Sequence, residues 1–357
     1  MSTKTIFLPN YSIGENPYEK VASICEKYGK KVVFIGGKTA LSKGSEEVRN
    51  AMKGSSLEVI GEIWYGGEAC YENVEMLKNE KAVQEADMVF AFGGGKALDT
   101  CKCLTGNLEK PLFSFPTISS TCAAVTTVCA MYEKNGVFKD LYWRFAPAEH
   151  TFINTKIIAE APDKYLWAGI GDTMAKGYEP EFSSRGKELD HSNSIGVTLS
   201  KLCQEPLVKY GKKAIDDCKA NKTSKELEET ILAIIITTGI VSNYVINDYN
   251  SSVAHAICYG FSTLHHVETN HLHGEIVSYG VLVLLMIDGK TEEIDRILPF
   301  YRSINLPTSY KDLEAKDEEM EGVVQKAVDV PDMDVAAFKI SKDMVWDAIR
   351  KTEAYGK

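Results

Sequence analysis

Along residues 5–120, short runs of β-branched and aromatic residues alternate with stretches whose apolar positions recur at helical spacing. Lys31–Ile35, Leu57–Trp64, Met88–Phe92 and Leu112–Phe115 read as strands, with a shorter candidate at Thr5–Leu8. Pro17–Tyr28, Ala40–Met52, Glu72–Gln84 and Lys96–Leu104 read as helices. Gly36-Gly37 closes one strand, and Gly93-Gly94-Gly95 closes another. Strand–helix alternation at this spacing predicts a parallel sheet with helices on both faces. Beyond residue 160 the pattern changes. Asp163–Glu179, Ser194–Ala220, Ser224–Asn247 and Gly274–Leu285 lack strand alternation and are rich in Ala, Leu, Ile, Glu and Lys. They predict a mostly helical second domain. Pro162 breaks the chain before the first of these helices, which sets the domains at 1–160 and 161–357.

The bulk composition agrees with two domains. A chain of 357 residues with 44% hydrophobic residues can bury a large core. The formal net charge of −10 repels nucleic acid and anionic membranes, so both are excluded as partners. Nine scattered cysteines without a Cys-x-x-Cys pair point to a reducing compartment rather than a disulfide framework. Cys101 and Cys103 fall on different faces of one helix and read as packing. The N-terminus has no signal-peptide pattern. The most apolar stretches, Ile231–Val241 and Ile276–Ile287, are shorter than the roughly 20 residues a membrane helix needs. A cytoplasmic protein is expected.

Three segments hold candidate chemistry. In Phe92-Gly93-Gly94-Gly95-Lys96-Ala97-Leu98-Asp99 a strand runs into three glycines and a helix. The glycines let a ligand approach the backbone, and the free amides of the helix start favour an anion such as a pyrophosphate. The pattern is neither Gly-x-Gly-x-x-Gly nor the Walker loop. Next, five of the seven histidines, His255, His265, His266, His271 and His273, crowd into one short stretch. Such a cluster suits a metal site or acid–base chemistry, with a polar surface loop as the alternative. Finally, in Ala168-Gly169-Ile170-Gly171-Asp172 two glycines precede Asp172 at the expected start of an apolar helix. By itself Asp172 reads as an N-cap or first-turn acid; with two distant histidines it becomes a candidate ligand for Zn²⁺ or Fe²⁺. Lys176, four residues on, shares its helix face; an ordinary surface lysine is the alternative.

Together these pieces resemble the iron-containing (group III) alcohol dehydrogenases, within them the glycerol dehydrogenase branch, over nearly the whole chain. Gly93-Gly94-Gly95-Lys96-x-x-Asp99-x-x-Lys102 resembles the family's pyrophosphate loop. Phe115-Pro116-Thr117-Ile118-Ser119-Ser120-Thr121 resembles its second cofactor segment. Ala168–Asp172, His255-Ala256-Ile257 and His271-Leu272-His273-Gly274-Glu275 resemble its metal-ligand segments. The resemblance implies a Rossmann-like α/β domain joined to an all-α domain, in a dehydroquinate-synthase-like architecture. It implies Asp172, His255 and His273 as ligands of one divalent metal, Zn²⁺ ahead of Fe²⁺, with His271 the impostor. NAD or NADP would be lined by Gly94, Gly95, Lys96, Asp99, Thr117, Ser120, Thr126, Val128 and Tyr132. A small-molecule substrate and a homo-oligomer are expected.

Departures from the branch refine the substrate. Cys122 stands where glycerol dehydrogenases have a polyol-contacting aspartate, and Cys258 where they usually have a second histidine. Lys176 replaces a threonine, or the fourth, histidine ligand of the propanediol-type branch. These features look closer to the bacterial hydroxycarboxylate dehydrogenases, which reduce 2-oxo acids. Cys122 removes a negative charge and Lys176 adds a cation, so 2-oxo acids are the expected substrates. Glycerol is the alternative, and a dehydroquinate-synthase-like lyase a weaker one, because the ligand segments carry no clear basic cluster. The strand ending Ile35-Gly36-Gly37-Lys38 has Gly37 where the family usually has an aspartate for the ribose 2′-hydroxyl. Without that anion, and with Lys38 beside it, NADPH is expected over NADH.

Overall fold

The computed structural model describes residues 5–355. Its contacts divide the chain into two compact units, Met1–Asp163 with Asp217–Ile231, and Lys164–Asp216 with Leu232–Lys357. The contact division differs from a single break near residue 160 in giving Asp217–Ile231 to the first unit.

The first unit is built on eight strands: β1 Tyr11–Gly14, β2 Lys31–Gly36, β3 Glu58–Trp64, β4 Met88–Gly93, β5 Leu112–Pro116, β6 Val128–Tyr132, β7 Phe138–Trp143 and β8 His150–Asn154. Six form one parallel sheet in the order β1-β8-β5-β4-β2-β3. Every residue of β4, β5 and β8 is buried. Such continuously buried runs belong to parallel strands covered on both faces. On one face Phe34, Phe90, Phe92, Phe113, Phe115 and Phe152 form a continuous aromatic layer. Phe92 stacks on Phe115 at 4.6 Å and Phe115 on Phe152 at 5.0 Å between centroids. Helix Lys38–Ala51 lays Leu41 and Val48 on this layer.

Several local readings change. Thr5–Leu8 is not a strand. Ile6 and Leu8 are exposed, and the edge strand is Tyr11–Gly14, whose partner β8 went unread. Pro17–Tyr28 is a helical turn of mixed kind, 3₁₀ at both ends and α only over Val21–Cys25. Glu72–Gln84 is two helices, Tyr71–Lys78 and Lys81–Glu85; the Asn79 side chain between them donates to the Glu75 carbonyl at 2.8 Å. The antiparallel hairpin β6–β7 was also unread.

In the second unit no strand occurs among the described residues. Within the helical stretch Ser224–Asn247 a π-helical segment, Leu232–Thr237, lies between helices Lys225–Ile231 and Thr238–Tyr244. Thr238 Oγ1 bonds the Ala233 carbonyl at 3.0 Å, five residues back. Helix His273–Ile287 is apolar nearly all round, so it runs through the core of the unit.

One contact sets the geometry around it. Helices Asp163–Lys176 and His273–Ile287 meet backbone to backbone at Gly171 and Gly274. A Cβ on Gly274 would lie 1.9 Å from the Ala168 carbonyl oxygen, and one on Gly171 would lie 2.2 Å from the Gly274 oxygen. Backbone atoms cannot yield as a side-chain tip can, so Gly274→Ala must push the helices apart. We expect it to cost upwards of about 2 kcal/mol, read as a lowered Tm, and to misalign Asp172 and His273, which flank the contact. Gly322→Ala, in helix Met320–Val328 with nothing within 4 Å of the added Cβ, should leave Tm unchanged or raised. Equal Tm for Gly274→Ala and the native chain would refute the close-contact account.

Candidate active site

Asp172 does not open a helix. It sits in the third turn of helix Asp163–Lys176, so the capping role weighed for it is absent. Gly171 just before it is required by the helix contact, and that contact brings Asp172 beside His273, the first residue of helix His273–Ile287. His255 comes from the first turn of helix Val253–Phe261. Asp172 Oδ1 lies 3.5 Å from His255 Nε2 and 3.7 Å from His273 Nε2. One ligand atom from each of the three residues lies within 4.8 Å of the others. The His255 side chain is 13% exposed and that of His273 51%, so the cluster is closed on one side and open on the other. A carboxylate and two imidazoles converging this way can hold a divalent ion with room for a further ligand.

Behind His255 stands a residue that motif reading missed. Glu179, fully buried, accepts from His255 Nδ1 at 2.7 Å through Oε2. Its Oε1 accepts the backbone N–H groups of Ser252 at 2.8 Å and of His255 at 3.1 Å. Burial alone would push the His255 imidazolium toward deprotonation. The Glu179 carboxylate outweighs it, with Asp172 adding to the effect, and His255 is raised to about 10. Burial likewise opposes ionisation of Asp172 and Glu179, yet both are held below the usual carboxylate range, chiefly by His255. The three groups thus form a field suited to a cation between Asp172 and the imidazoles. Glu179 lies seven residues after Asp172, past the end of that helix and at the start of the next, Glu179–Ser184; a second carboxylate so close behind Asp172 is the signal that could have flagged it.

The other histidines are elsewhere. His271 Nδ1 bonds Glu275 Oε1 at 2.9 Å, and His271 is not part of the cluster. His266 faces Glu319 and the Glu314 carbonyl, and His150 ties β8 to β1 through Ser12. His273 Nδ1 faces Cys258 Sγ at 3.5 Å.

Lys176 is neither a surface lysine nor a free cation. It is 8% exposed, and its ammonium donates to the Asn250 backbone carbonyl and, at 2.7 Å, to Asn250 Oδ1. The expected pairing of Lys176 with a substrate carboxylate is therefore corrected: its ammonium is committed to Asn250.

In the first unit, β4 ends at Gly93, whose φ of +150° favours glycine, and helix Gly95–Leu108 follows. A Cβ on Gly94 would meet Ile118 Cδ1, a side-chain tip that can move aside, at 2.4 Å; on Gly95 the nearest atom is Thr121 Oγ1 at 3.4 Å. Thr117 donates its N–H to the Gly93 carbonyl at 3.2 Å, holding the second cofactor segment to the loop. Lys96 Nζ is paired with Glu68 Oε2 at 2.6 Å and lies 5.4 Å from the centre of the Tyr132 ring. Asp99 points inward, a correction to its expected contact with cofactor. Its Oδ1 pairs with Lys102 Nζ at 2.8 Å, and its Oδ2 accepts the Ala130 N–H at 3.1 Å. Lys102, 1% exposed, also donates to Thr126 Oγ1 at 3.2 Å and to the Val128 carbonyl. Asp99, Thr126 and the Val128 carbonyl thus belong to a buried network that pins β6 to the helix. Ser120, Cys122 and Tyr132 are half-buried.

At the end of β2, Gly37 caps helix Lys38–Ala51, which carries no acid in its first turn. Lys38 Nζ rests 4.8 Å from the centre of the Trp64 ring. Among the described residues no helix is long and apolar enough to cross a membrane.

Residues 9–148 match the family described as iron-containing alcohol dehydrogenase. Glycerol dehydrogenase of Thermotoga maritima is 30% identical over 303 residues, 82% of this chain and 81% of that protein. Hydroxycarboxylate dehydrogenase A of Escherichia coli is 26% identical over 336 residues, 91% of this chain and 90% of that one. A probable glycerol dehydrogenase from Sinorhizobium meliloti superposes with a TM-score of 0.84 at 25% identity, covering 99% of both chains. Its fold is thus the Rossmann-like domain and helical domain of these enzymes, and the chain belongs to the iron-containing alcohol dehydrogenase family, oxidoreductases that act on alcohol groups.

Proposed function

We propose that this enzyme is a metal-dependent, NAD(P)-linked dehydrogenase that reduces small 2-oxo acids to 2-hydroxy acids. The observation that carries the metal dependence is the convergence of Asp172, His255 and His273, backed by the buried Glu179. The donor set fits a divalent ion: one hard carboxylate, two imidazoles, and an orienting carboxylate on a second ring nitrogen. Zn²⁺ is proposed ahead of Fe²⁺, in keeping with the general order of affinities. When bound, the ion polarises the substrate oxygen and the nicotinamide carries the hydride. The residues of this chain hold and orient. Glu179 keeps the His255 ring aimed at Asp172, and the half-exposed His273 leaves the open side for substrate.

Two features support an acidic substrate. Cys122 brings no charge to a position where the glycerol branch has a carboxylate. The buried Lys176 ammonium, although committed to Asn250, still offsets the charges of Asp172 and Glu179. The second reading, glycerol and dihydroxyacetone, is favoured by the name of the Thermotoga relative and by Lys176 being bonded within the protein. For the cofactor, Gly37 and Lys38 support NADPH, since no anion at that helix start would repel a 2′-phosphate.

The metal assignment is tested by His273→Ala and His271→Ala. The first should abolish bound metal in elemental analysis and the second should keep it; full metal in His273→Ala would sink the assignment. For the substrate, kcat/KM should be at least about tenfold higher for 2-oxobutanoate or 2-oxoglutarate than for dihydroxyacetone, with glycerol assayed in the reverse direction. Better turnover of dihydroxyacetone would hand the reading to glycerol dehydrogenase. For the cofactor, a Cβ on Gly37 would meet only Tyr65 Cε1 at 3.8 Å and Ala40 Cβ at 3.9 Å, so Gly37→Asp is accommodated. It should shift the NADPH-to-NADH ratio of kcat/KM toward NADH by about tenfold. A native preference for NADH that Gly37→Asp leaves unmoved would refute the role of this position.

A further inference from the structure

Asp172, Lys176 and Glu179 stand at intervals of four and three residues. The last two grip one segment, Asn250–His255. Lys176 holds Asn250, and Glu179 holds the N–H groups of Ser252 and His255 together with the His255 ring. Helix Val253–Phe261 begins here without a side-chain cap of its own from Ser252. Glu179 accepts the His255 amide of the helix's first turn and the amide of its N-cap residue, Ser252, and a carboxylate at a helix N-terminus also meets the favourable end of the dipole. Glu179 does this from outside the helix, with one oxygen. Its second oxygen is left for His255 Nδ1. His273 has no comparable support, since its Nδ1 faces only the Cys258 sulfur, a weak partner.

We propose that Glu179 is the positioning residue of the metal centre. It acts through His255, by fixing the ring proton on Nδ1 so that the Nε2 lone pair faces Asp172. The inference rests on the metal reading above and adds a residue that the family motifs quoted for this chain do not contain. The rival account is that Glu179 is only the cap of helix Val253–Phe261. The two accounts part at Glu179→Gln. The amide oxygen can still accept the two backbone N–H groups, so the cap survives. The amide nitrogen then faces His255 Nδ1 as a donor. Nδ1 must accept, the ring proton moves to Nε2, and the lone pair aimed at Asp172 is lost. Turning the amide over would instead set its NH₂ against two N–H groups and forfeit the cap.

The test uses the full-length protein, stripped of metal and titrated with Zn²⁺ or Co²⁺ against a chromophoric chelator. Metal-free Glu179→Gln should melt within a few degrees of the metal-free native chain. Its affinity should fall by about 10- to 100-fold, the usual cost of losing an orienting partner. The visible spectrum of its Co²⁺ form should change. Cys258→Ala should lose less affinity than Glu179→Gln. In the Zn²⁺-loaded native protein, a far-downfield imidazole N–H proton should appear by NMR and be absent from Glu179→Gln; its absence from the native protein would overturn the proposal even if the variant did not fold. Native uptake of metal with unchanged affinity and Co²⁺ spectrum in Glu179→Gln would overturn the positioning role and leave the metal reading standing. Failure of the native chain to take up either ion would overturn both.

Discussion

The second unit depends on two helices touching without side chains between them. At Gly171 and Gly274 the carbonyl of one backbone fills the space a Cβ would take on the other. Packed side chains normally hold helix axes about 8–10 Å apart. Two facing glycines bring the backbones closer, so the residues flanking them meet at a distance ordinary packing does not give. Asp172 follows one glycine and His273 precedes the other. The same contact that joins the helices therefore sets the carboxylate 3.7 Å from an imidazole nitrogen. Glycine inside a helix costs about 0.5–1 kcal/mol relative to alanine, and here that cost secures a geometry no other residue permits.

In the first unit a buried ion pair has the corresponding role. Taking Asp99 and Lys102 out of water is expensive unless every donor and acceptor finds a partner. Burial pushes the Asp99 carboxyl up despite its lysine; burial opposes the charge on Lys102, but Asp99 outweighs it and the ammonium is held up. The remaining valences go to the Ala130 N–H, Thr126 Oγ1 and the Val128 carbonyl. Nonpolar residues at 99 and 102 would take the acceptor from the Ala130 N–H and leave the Val128 carbonyl only a long contact from Thr126 Oγ1 at 3.5 Å. The pair thus ties the hairpin β6–β7 to the helix that starts at the glycine loop. Residues that look like cofactor ligands by motif are, in part, the frame that holds the cofactor segments.

This distinction explains what was legible in the sequence. Buried parallel strands such as Met88–Gly93 and the long apolar helix His273–Ile287 announce themselves by continuous hydrophobicity, and they were read correctly. Pairing partners were harder. β8 and β1 are recognised mainly by each other, and the hairpin β6–β7 by the helix it packs on, so neither carries a strong local signal. Among the histidines, composition marked the right segment, but nothing local separates His273 from His271. Their difference is tertiary: one ring meets Asp172, and the other is taken by Glu275 in the first turn of the helix that follows it. Lys176 and Glu179 were misread or missed for the same reason, because their partner segment lies more than seventy residues on.

Charge bookkeeping around the cluster connects this frame to the chemistry proposed for it. Two carboxylates, the partly exposed Asp172 and the buried Glu179, face one buried ammonium, Lys176, and the His255 ring. Without metal, the raised proton affinity of His255 lets an imidazolium complete the balance, and the group is close to neutral. On the proposed reading, a divalent ion takes the place of that single proton, because the ligand must be a neutral imidazole. The loaded cluster then carries one positive charge more than the empty one, in a setting only partly screened by water. Replacing Lys176 with a neutral residue would erase that surplus. Its ammonium can therefore favour an anionic substrate or a developing alkoxide without touching either, through the potential it adds at a site whose open side is His273.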